Sequence, residues 1–185
     1  AKKDASSSAK TIIQQGNILL NMVNQLLDMT KIKSNIDNWK WVHDDIISYS
    51  SMGVETLREY ASIKKIDLVF QSDDRVLKVD FLPDFIDKII INLISNALKH
   101  TPKGGKISVI ISSKKQDYHI QVIDTGSGIK PEDLPYIFDE FYQSEDQWQS
   151  GTGIGLAMVH KMVEIMKGSV EAKNRSGGGA EFIIN

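Results

Sequence analysis

The sequence has no cysteine, which excludes disulfides, zinc–thiolate sites and cysteine nucleophiles while leaving the compartment open. It has no apolar run long enough to cross a bilayer, and its first residues lack the pattern of a signal peptide. Positive charge is never concentrated. The 22 Lys and Arg are outweighed by 24 Asp and Glu, the net charge is −2, and there is no basic run, so neither nucleic acid nor membrane contact is expected. Internal repeats and low-complexity segments are missing too. What remains is ordinary globular composition: 185 residues, 41% hydrophobic and 25% charged, enough for one well-cored domain and an accessory segment.

Proline is sparse, and two of the four flank the stretch around which the chain is organised. Pro83 and Asp84 suit the first turn of a helix, where proline's missing donor would go unpaired anyway. Pro102, Gly104 and Gly105 end it. Between them Phe85, Ile86, Ile89, Ile90, Leu93, Ile94, Ala97 and Leu98 mark an apolar helical face. Asn92, Asn96, Lys99 and His100 fall at i, i+4, i+7 and i+8 and share a second stripe. A carboxamide oxygen can take a magnesium ion that also holds phosphates, and a lysine can meet phosphate as a point charge. The same four residues also suit the polar outer face of an ordinary amphipathic helix.

Residues 1–10 are polar and read as a frayed start, as at a point inside a longer protein. Residues 11–33 predict one helix. Leu19, Met22, Leu26 and Met29 follow at steps of three and four, and Ile12, Val23, Leu27 and Ile32 widen that seam. A lone helix of this length is marginal in water, so it packs on its own domain or joins a bundle or dimer. Residues 34–38 are turn-rich and mark a boundary between a segment 1–34 and a domain 35–185. Trp39, Trp41 and Ile46 bracket an extended stretch, after which Asp44 and Asp45 start a helix reaching about Ser62, with Gly53 a weak point. Residues 68–71 and 76–80 read as strands around a turn at Ser72, Asp73 and Asp74, and 106–113 with 118–124 as a hairpin. Residues 132–143, acidic and aromatic, predict a short helix. Residues 144–152 predict a mobile loop, with Trp148 its one large apolar side chain. A helix over 156–166 and strands over 170–173 and 180–184 complete the chain.

Two glycine-rich stretches carry chemistry. In the first, strand alternation puts Ile120, Val122 and Asp124 on one face. With the first two on the core, Asp124 sits at the rim of an apolar pocket and must find a donor, of which the exocyclic amine of a flat base is one. Gly126 and Gly128 would let the backbone pass close to a ligand, although a polar turn after a strand has the same composition. In the second, Gly151, Thr152, Gly153, Ile154, Gly155 and Leu156 precede a helix whose free N–H groups and positive dipole end suit phosphate. The third glycine comes one residue too early for a Rossmann loop, and there is no Walker A sequence. Phosphate binding here would use another fold, and the alternative is a flexible loop entering a helix.

Together these residues resemble a known family. Residues 92–101 resemble the N box of histidine kinases, and 124–128 their first glycine box. Phe138, Asp139, Glu140 and Phe141 resemble their F box, and 151–156 their second glycine box, all in family order. Residues 12–33 resemble the second helix of the dimerisation and histidine-phosphotransfer hairpin, and the surrounding phrases most resemble hybrid sensor kinases. The resemblance implies an α/β (α+β) two-layer sandwich, with a mixed, mostly antiparallel sheet packed on helices, preceded by one helix of a dimerisation hairpin. It implies ATP and Mg2+ as cofactors. Asn96 would be the magnesium ligand, with Asn92 beside it on the phosphate side, Lys99 on phosphate, and His100 lining the sugar and phosphate region. Asn92 and Lys99 would be the catalytic pair. Asp124 would accept from the adenine amine, and Gly126, Gly128 and Ile129 would shape the base pocket. Residues 139–150 would form an ATP lid. Gly151, Thr152, Gly153, Gly155 and Leu156 would lie at its hinge and on the phosphates, and Phe138 and Phe141 would anchor its start. The implied partners are a response-regulator receiver domain and a second copy joined through the dimerisation helices. The implied place is the cytoplasmic part of a membrane-anchored sensor.

The chain departs from the family pattern in two places. Gln143 stands where many relatives carry an arginine after the F box. The phosphoacceptor histidine, in a His-Glu-Leu-Arg-Thr-Pro-like run, has no counterpart, since His43, His119 and His160 lie in unrelated contexts. The related gyrase, chaperone and mismatch-repair ATPases use a glutamate as base where this chain has Asn92. An amide cannot take a proton at neutral pH, which favours holding ATP for transfer over hydrolysing it. The expected function is the ATP-binding catalytic part of a sensor histidine kinase that cannot label itself. The alternative is a nucleotide-responsive interaction module that transfers nothing.

Overall fold

The hairpin of β4 (Lys106–Lys114) and β5 (Asp117–Asp124) forms the middle of a five-stranded sheet in a computed structural model that describes residues 2–34, 39–114, 117–144 and 152–185. Its register sets Ile107 opposite Asp124, Val109 opposite Val122 and Ile111 opposite Ile120, so one face is almost wholly aliphatic. β7 (Ala180–Ile184) pairs antiparallel with β5, and β6 (Val170–Asn174) pairs antiparallel with β7 at the edge. On the other side β2 (Asp67–Ser72) runs parallel to β4, which makes the sheet mixed but mostly antiparallel.

Helices cover the aliphatic face. α4 (Pro83–His100) buries all eight residues of its predicted apolar stripe, and α5 (Gly155–Ile165) adds Met158, Val159, Met162 and Val163. Each fully buried aliphatic side chain contributes about 1.5–3 kcal/mol, so the sheet and α4 hold one another far more firmly than helix propensity alone would. The result is a two-layer α/β sandwich. Because α4's apolar stripe lies on the sheet, its second stripe is carried to the rim of the sandwich.

The structure differs from the sequence reading in several elements. The helix predicted from Asp44 to Ser62 is two helices, α2 (Ile46–Glu55) and α3 (Arg58–Ile63). Asp45 caps α2 through bonds from the Ile47 and Ser48 amides, and Thr56 ends it by turning its hydroxyl back to the Gly53 carbonyl at 2.7 Å. The strands read around Ser72 to Asp74 do not pair with each other. β3 (Lys78–Phe81) joins β1 (Val42–Asp45) in a separate two-stranded ribbon, held because the Leu77 amide donates to Asp45 and its carbonyl accepts from Ile46. Residues 132–143 form successive turns, not a helix. Pro135 has no N–H to give, and beyond it the bonds from Tyr136 to Asp133, Asp139 to Tyr136 and Tyr142 to Asp139 reach back three residues.

α1 (Lys2–Ser34) begins well before residue 11, so the first residues extend the helix. It meets the body through Met29 and Ile32, which are buried, and through the Asp28–Lys88 ion pair at 2.9 Å. The predicted seam therefore divides: Ile12, Leu19, Val23, Leu26 and Leu27 point away and stay exposed. The predicted boundary at 35–38 lies outside the described residues. Among the described residues, no helix is long and apolar enough to cross a membrane.

Candidate functional site

The second stripe of α4 faces a cavity of about 1560 Å3. Asn92, Asn96, Lys99 and His100 line one wall, and Asp124 with the loop through Ile129 lines the far end. Thr152, Gly153, Gly155 and Leu156 line the opposite side, and Ala180 and Phe182 of β7 complete the base. Strand alternation and helix periodicity thus bring together residues far apart in the chain.

Asp124 is 4% exposed. Its Oδ1 accepts from the Gly126 amide at 2.7 Å and the Ala180 amide at 3.3 Å. Its second oxygen has no partner among the described residues, so the site offers one acceptor to a donor entering the cavity. Gly126 packs against the end of α4, and a Cβ there would lie 2.5 Å from the His100 carbonyl oxygen. The close approach seen here is to the protein's own main chain. Gly128 and Ile129 continue the loop toward Asn174.

Lys99 is half-buried, and burial lowers its pKa with no counter-charge acting against the shift. His100 is held below its ordinary value of 6.5, first by burial and then by the Lys99 charge. Asp124 opposes this and Lys64 adds to it. Lys99 is therefore a partly desolvated cation on this wall, and an arriving anion would relieve the cost of its burial. Asn92 donates its side-chain N–H to the Lys88 carbonyl at 2.6 Å, and its oxygen faces Gly155, where a Cβ would come within 2.7 Å. Asn96 makes no side-chain hydrogen bond among the described residues and lines the cavity. Ile154, the residue before α5, supplies no side-chain cap, which leaves first-turn amides of that helix without one.

Around the second glycine loop, Gly153 has φ +69 and Phe141 has φ +66, and the Phe141 amide donates to the Gly153 carbonyl at 2.8 Å. This bond ties the two ends of the segment between them into a neck. Phe138 is anchored by its ring, 5.7 Å from His160 and 6.5 Å from Phe182. Phe141 is 57% exposed, and the bond it makes at the neck comes from its main chain. Thr152 donates its hydroxyl to Gln25 of α1 at 2.5 Å. Residues 145–151, which include Gly151, half of the predicted lid and most of the predicted mobile loop, lie outside the described residues. The other histidines stand away from the cavity: His43 pairs with Asp80, and His119 with Asn185.

Tyr60, Lys64, Gln25, Ala180 and Phe182 also line the cavity and belong to no motif. Lys64 donates to the Leu98 carbonyl at 3.0 Å and lies over the Tyr60 ring. Nothing local in the sequence marks them, because tertiary packing alone brings them there. Among the described residues, no three His, Asp or Glu side chains gather as a metal cluster. A hard cation would therefore depend on amide oxygens together with oxygens of its ligand, a donor set that suits magnesium held through phosphates.

Residues 82–185 match the family described as histidine kinase-, DNA gyrase B- and HSP90-like ATPase. The chain belongs to this ATPase family. Among curated members it is 34% identical to the sensor protein KdpD of Clostridium acetobutylicum over 170 residues, which is 90% of this chain and 19% of that protein. The chain thus spans about a fifth of that relative's length. Among solved structures, full-length ShkA in complex with AMPPNP is 25% identical with a TM-score of 0.82, over 100% of this chain and 38% of that one. The catalytic domain of the histidine kinase ThkA is 25% identical with a TM-score of 0.71, over 78% and 95%. The ATPase-family match begins just before α4 and runs to the end of β7, so it takes in the three walls described above.

Proposed function

We propose that this chain is the ATP-binding catalytic part of a sensor histidine kinase. In this reading, ATP·Mg2+ is held in the cavity and its γ-phosphate passes to a histidine on a neighbouring bundle helix. The observation that carries the reading is the polar stripe of α4 facing the Gly153–Gly155 loop, with the buried Asp124 carboxylate at the far end. Asp124 would accept from the adenine amine through its free oxygen, and Gly126, Gly128 and Ile129 would bound the base. Lys99 and His100 would meet the phosphates and sugar. Thr152, Gly153, Gly155 and Leu156, with Gly151, would present main-chain N–H groups at the start of α5. Asn96 would hold magnesium, whose contribution when bound is to neutralise phosphate charge, with Asn92 beside it.

In the transfer the bond between the γ-phosphorus and its bridging oxygen breaks, a nitrogen–phosphorus bond forms, and ADP leaves. The chain's own part is positioning and charge neutralisation. Asn92 cannot act as a base, which disfavours attack by water. Residues 1–34 would be the second helix of the dimerisation hairpin, and the outward apolar face of α1 supports pairing with a second copy. Residues 35–185 would be the catalytic domain. A response-regulator receiver domain would take the phosphate onward, and the setting would be the cytoplasmic side of a membrane-anchored sensor.

Calorimetric titration with ATP, with and without magnesium, tests the site. Tighter binding with magnesium, and loss of that gain in Asn96→Ala, is the expected result. Magnesium-independent affinity would remove Asn96 from the site. A chain that binds ATP yet transfers nothing to a supplied acceptor helix would instead be an interaction module, a reading kept in view by Gln143 on the cavity wall.

A further inference from the structure

Asn174 ends β6 at the edge of the sheet and belongs to none of the glycine, N or F boxes. Its carboxamide clasps one residue of the first glycine loop on both main-chain groups. The Ile129 N–H donates to Asn174 Oδ1 at 2.7 Å, and Asn174 Nδ2 donates to the Ile129 carbonyl at 2.6 Å. A neighbouring strand would offer the same pair of bonds, but here one side chain makes both. Asparagine suits the task because acceptor and donor lie side by side in one plane. Gly128 lies against the clasp, and a Cβ there would be 2.8 Å from Asn174 Oδ1.

The register of the same hairpin sets Asn174 opposite Ala180, whose N–H donates to Asp124. One strand end therefore fixes both sides of the cavity's far end, Asp124 through Ala180 and Ile129 through Asn174. A loop with two glycines would otherwise sample many conformations, and a ligand would have to order it at a cost in affinity.

We infer that Asn174 is a positioning residue for the base end of the site, holding Ile129 in place against Asp124. This rests on the reading of the cavity as an ATP site. Asn174 is exposed and its side chain bonds the loop at Ile129, so its effect falls on the loop and not on the fold. It also lies away from the α4 wall proposed for phosphates, so its loss affects ATP and ADP alike.

The test uses Asn174→Ala and the near-isosteric Asn174→Asp. The aspartate keeps an acceptor for the Ile129 N–H but sets a second oxygen against the Ile129 carbonyl. Both variants should speed hydrogen exchange at the Ile129 amide and leave exchange in β4, β5 and β7 unchanged. Both should lower ATP and ADP affinity by the same factor, about tenfold, with the magnesium dependence of ATP binding retained. Unchanged exchange at Ile129 would overturn the clasp. Faster exchange with unchanged affinity, or a loss for ATP alone, would overturn the positioning role. A general rise in exchange across the sheet would make Asn174 a structural residue and overturn the assignment as well. Failure of the unsubstituted chain to bind ATP would overturn the functional reading and the positioning role with it, while the exchange result would still report on the clasp.

Discussion

At the scale of residues, the site's properties come from partial burial. Asp124 has one oxygen committed to main-chain amides and one free, so Asp124→Ala should weaken ATP binding by about 1.5–3 kcal/mol, the range for a hydrogen bond to a charged group. GTP carries a carbonyl at the corresponding edge and should bind far worse than ATP, and comparable affinities in a calorimeter would contradict the role of Asp124. His100 gives a pH signature. Its folded pKa lies below 6.5, so the unfolded chain binds the proton more readily and protonation favours unfolding. The melting temperature of the nucleotide-free chain should therefore fall as pH drops below about 6.5, and less so in His100→Gln. A phosphate-bearing ligand should reverse the trend by stabilising the protonated imidazole. Gly179 gives a packing test. It has φ +86, and a Cβ there would meet the Asp124 carbonyl oxygen at 2.0 Å, whereas Gly177 has nothing within 4 Å. Gly179→Ala should cost at least about 1–2 kcal/mol in denaturant unfolding, and Gly177→Ala within about 0.5.

At the scale of elements, legibility followed the range of the interactions involved. α4 could be read almost residue for residue, because its proline start, its glycine end and its two stripes are local properties. The β4–β5 hairpin was legible for the same reason. The partners of β2 and β3 were not, since pairing β2 with β4 and β3 with β1 depends on where the intervening chain is held by Asp45. The acidic and aromatic composition of 132–143 suggested a helix, against which Pro135 stands as a local signal. That Asn92, Asn96, Lys99, His100 and Asp124 would face one cavity was legible from pattern, whereas Asn174, Lys64 and Gln25 reach their places through tertiary contacts alone. α1 sends Met29 and Ile32 to the body near its C-terminal end and leaves Ile12, Leu19, Val23, Leu26 and Leu27 exposed, a division that the spacing of its apolar residues could not separate. Replacing Leu19 and Leu26 together with glutamate should reduce self-association in sedimentation experiments and leave the melting of the catalytic body unchanged. A chain that stays monomeric before and after the change would contradict pairing through this face.

At the scale of the whole molecule, one sandwich places the buried Asp124 carboxylate, the polar stripe of α4 and a glycine loop around one cavity, while α1 carries no histidine to receive phosphate. The central claim is that this chain supplies ATP for transfer to a histidine it does not itself contain. The most direct measurement is incubation with γ-labelled ATP and magnesium, alone and with a fragment carrying a histidine-kinase acceptor helix, followed by acid treatment, since phosphohistidine is acid-labile. The account predicts no acid-labile label on the chain alone, and label on the added fragment that is lost with Asn96→Ala. Stoichiometric acid-labile label on the chain by itself, or none on the fragment despite ATP binding, would contradict it.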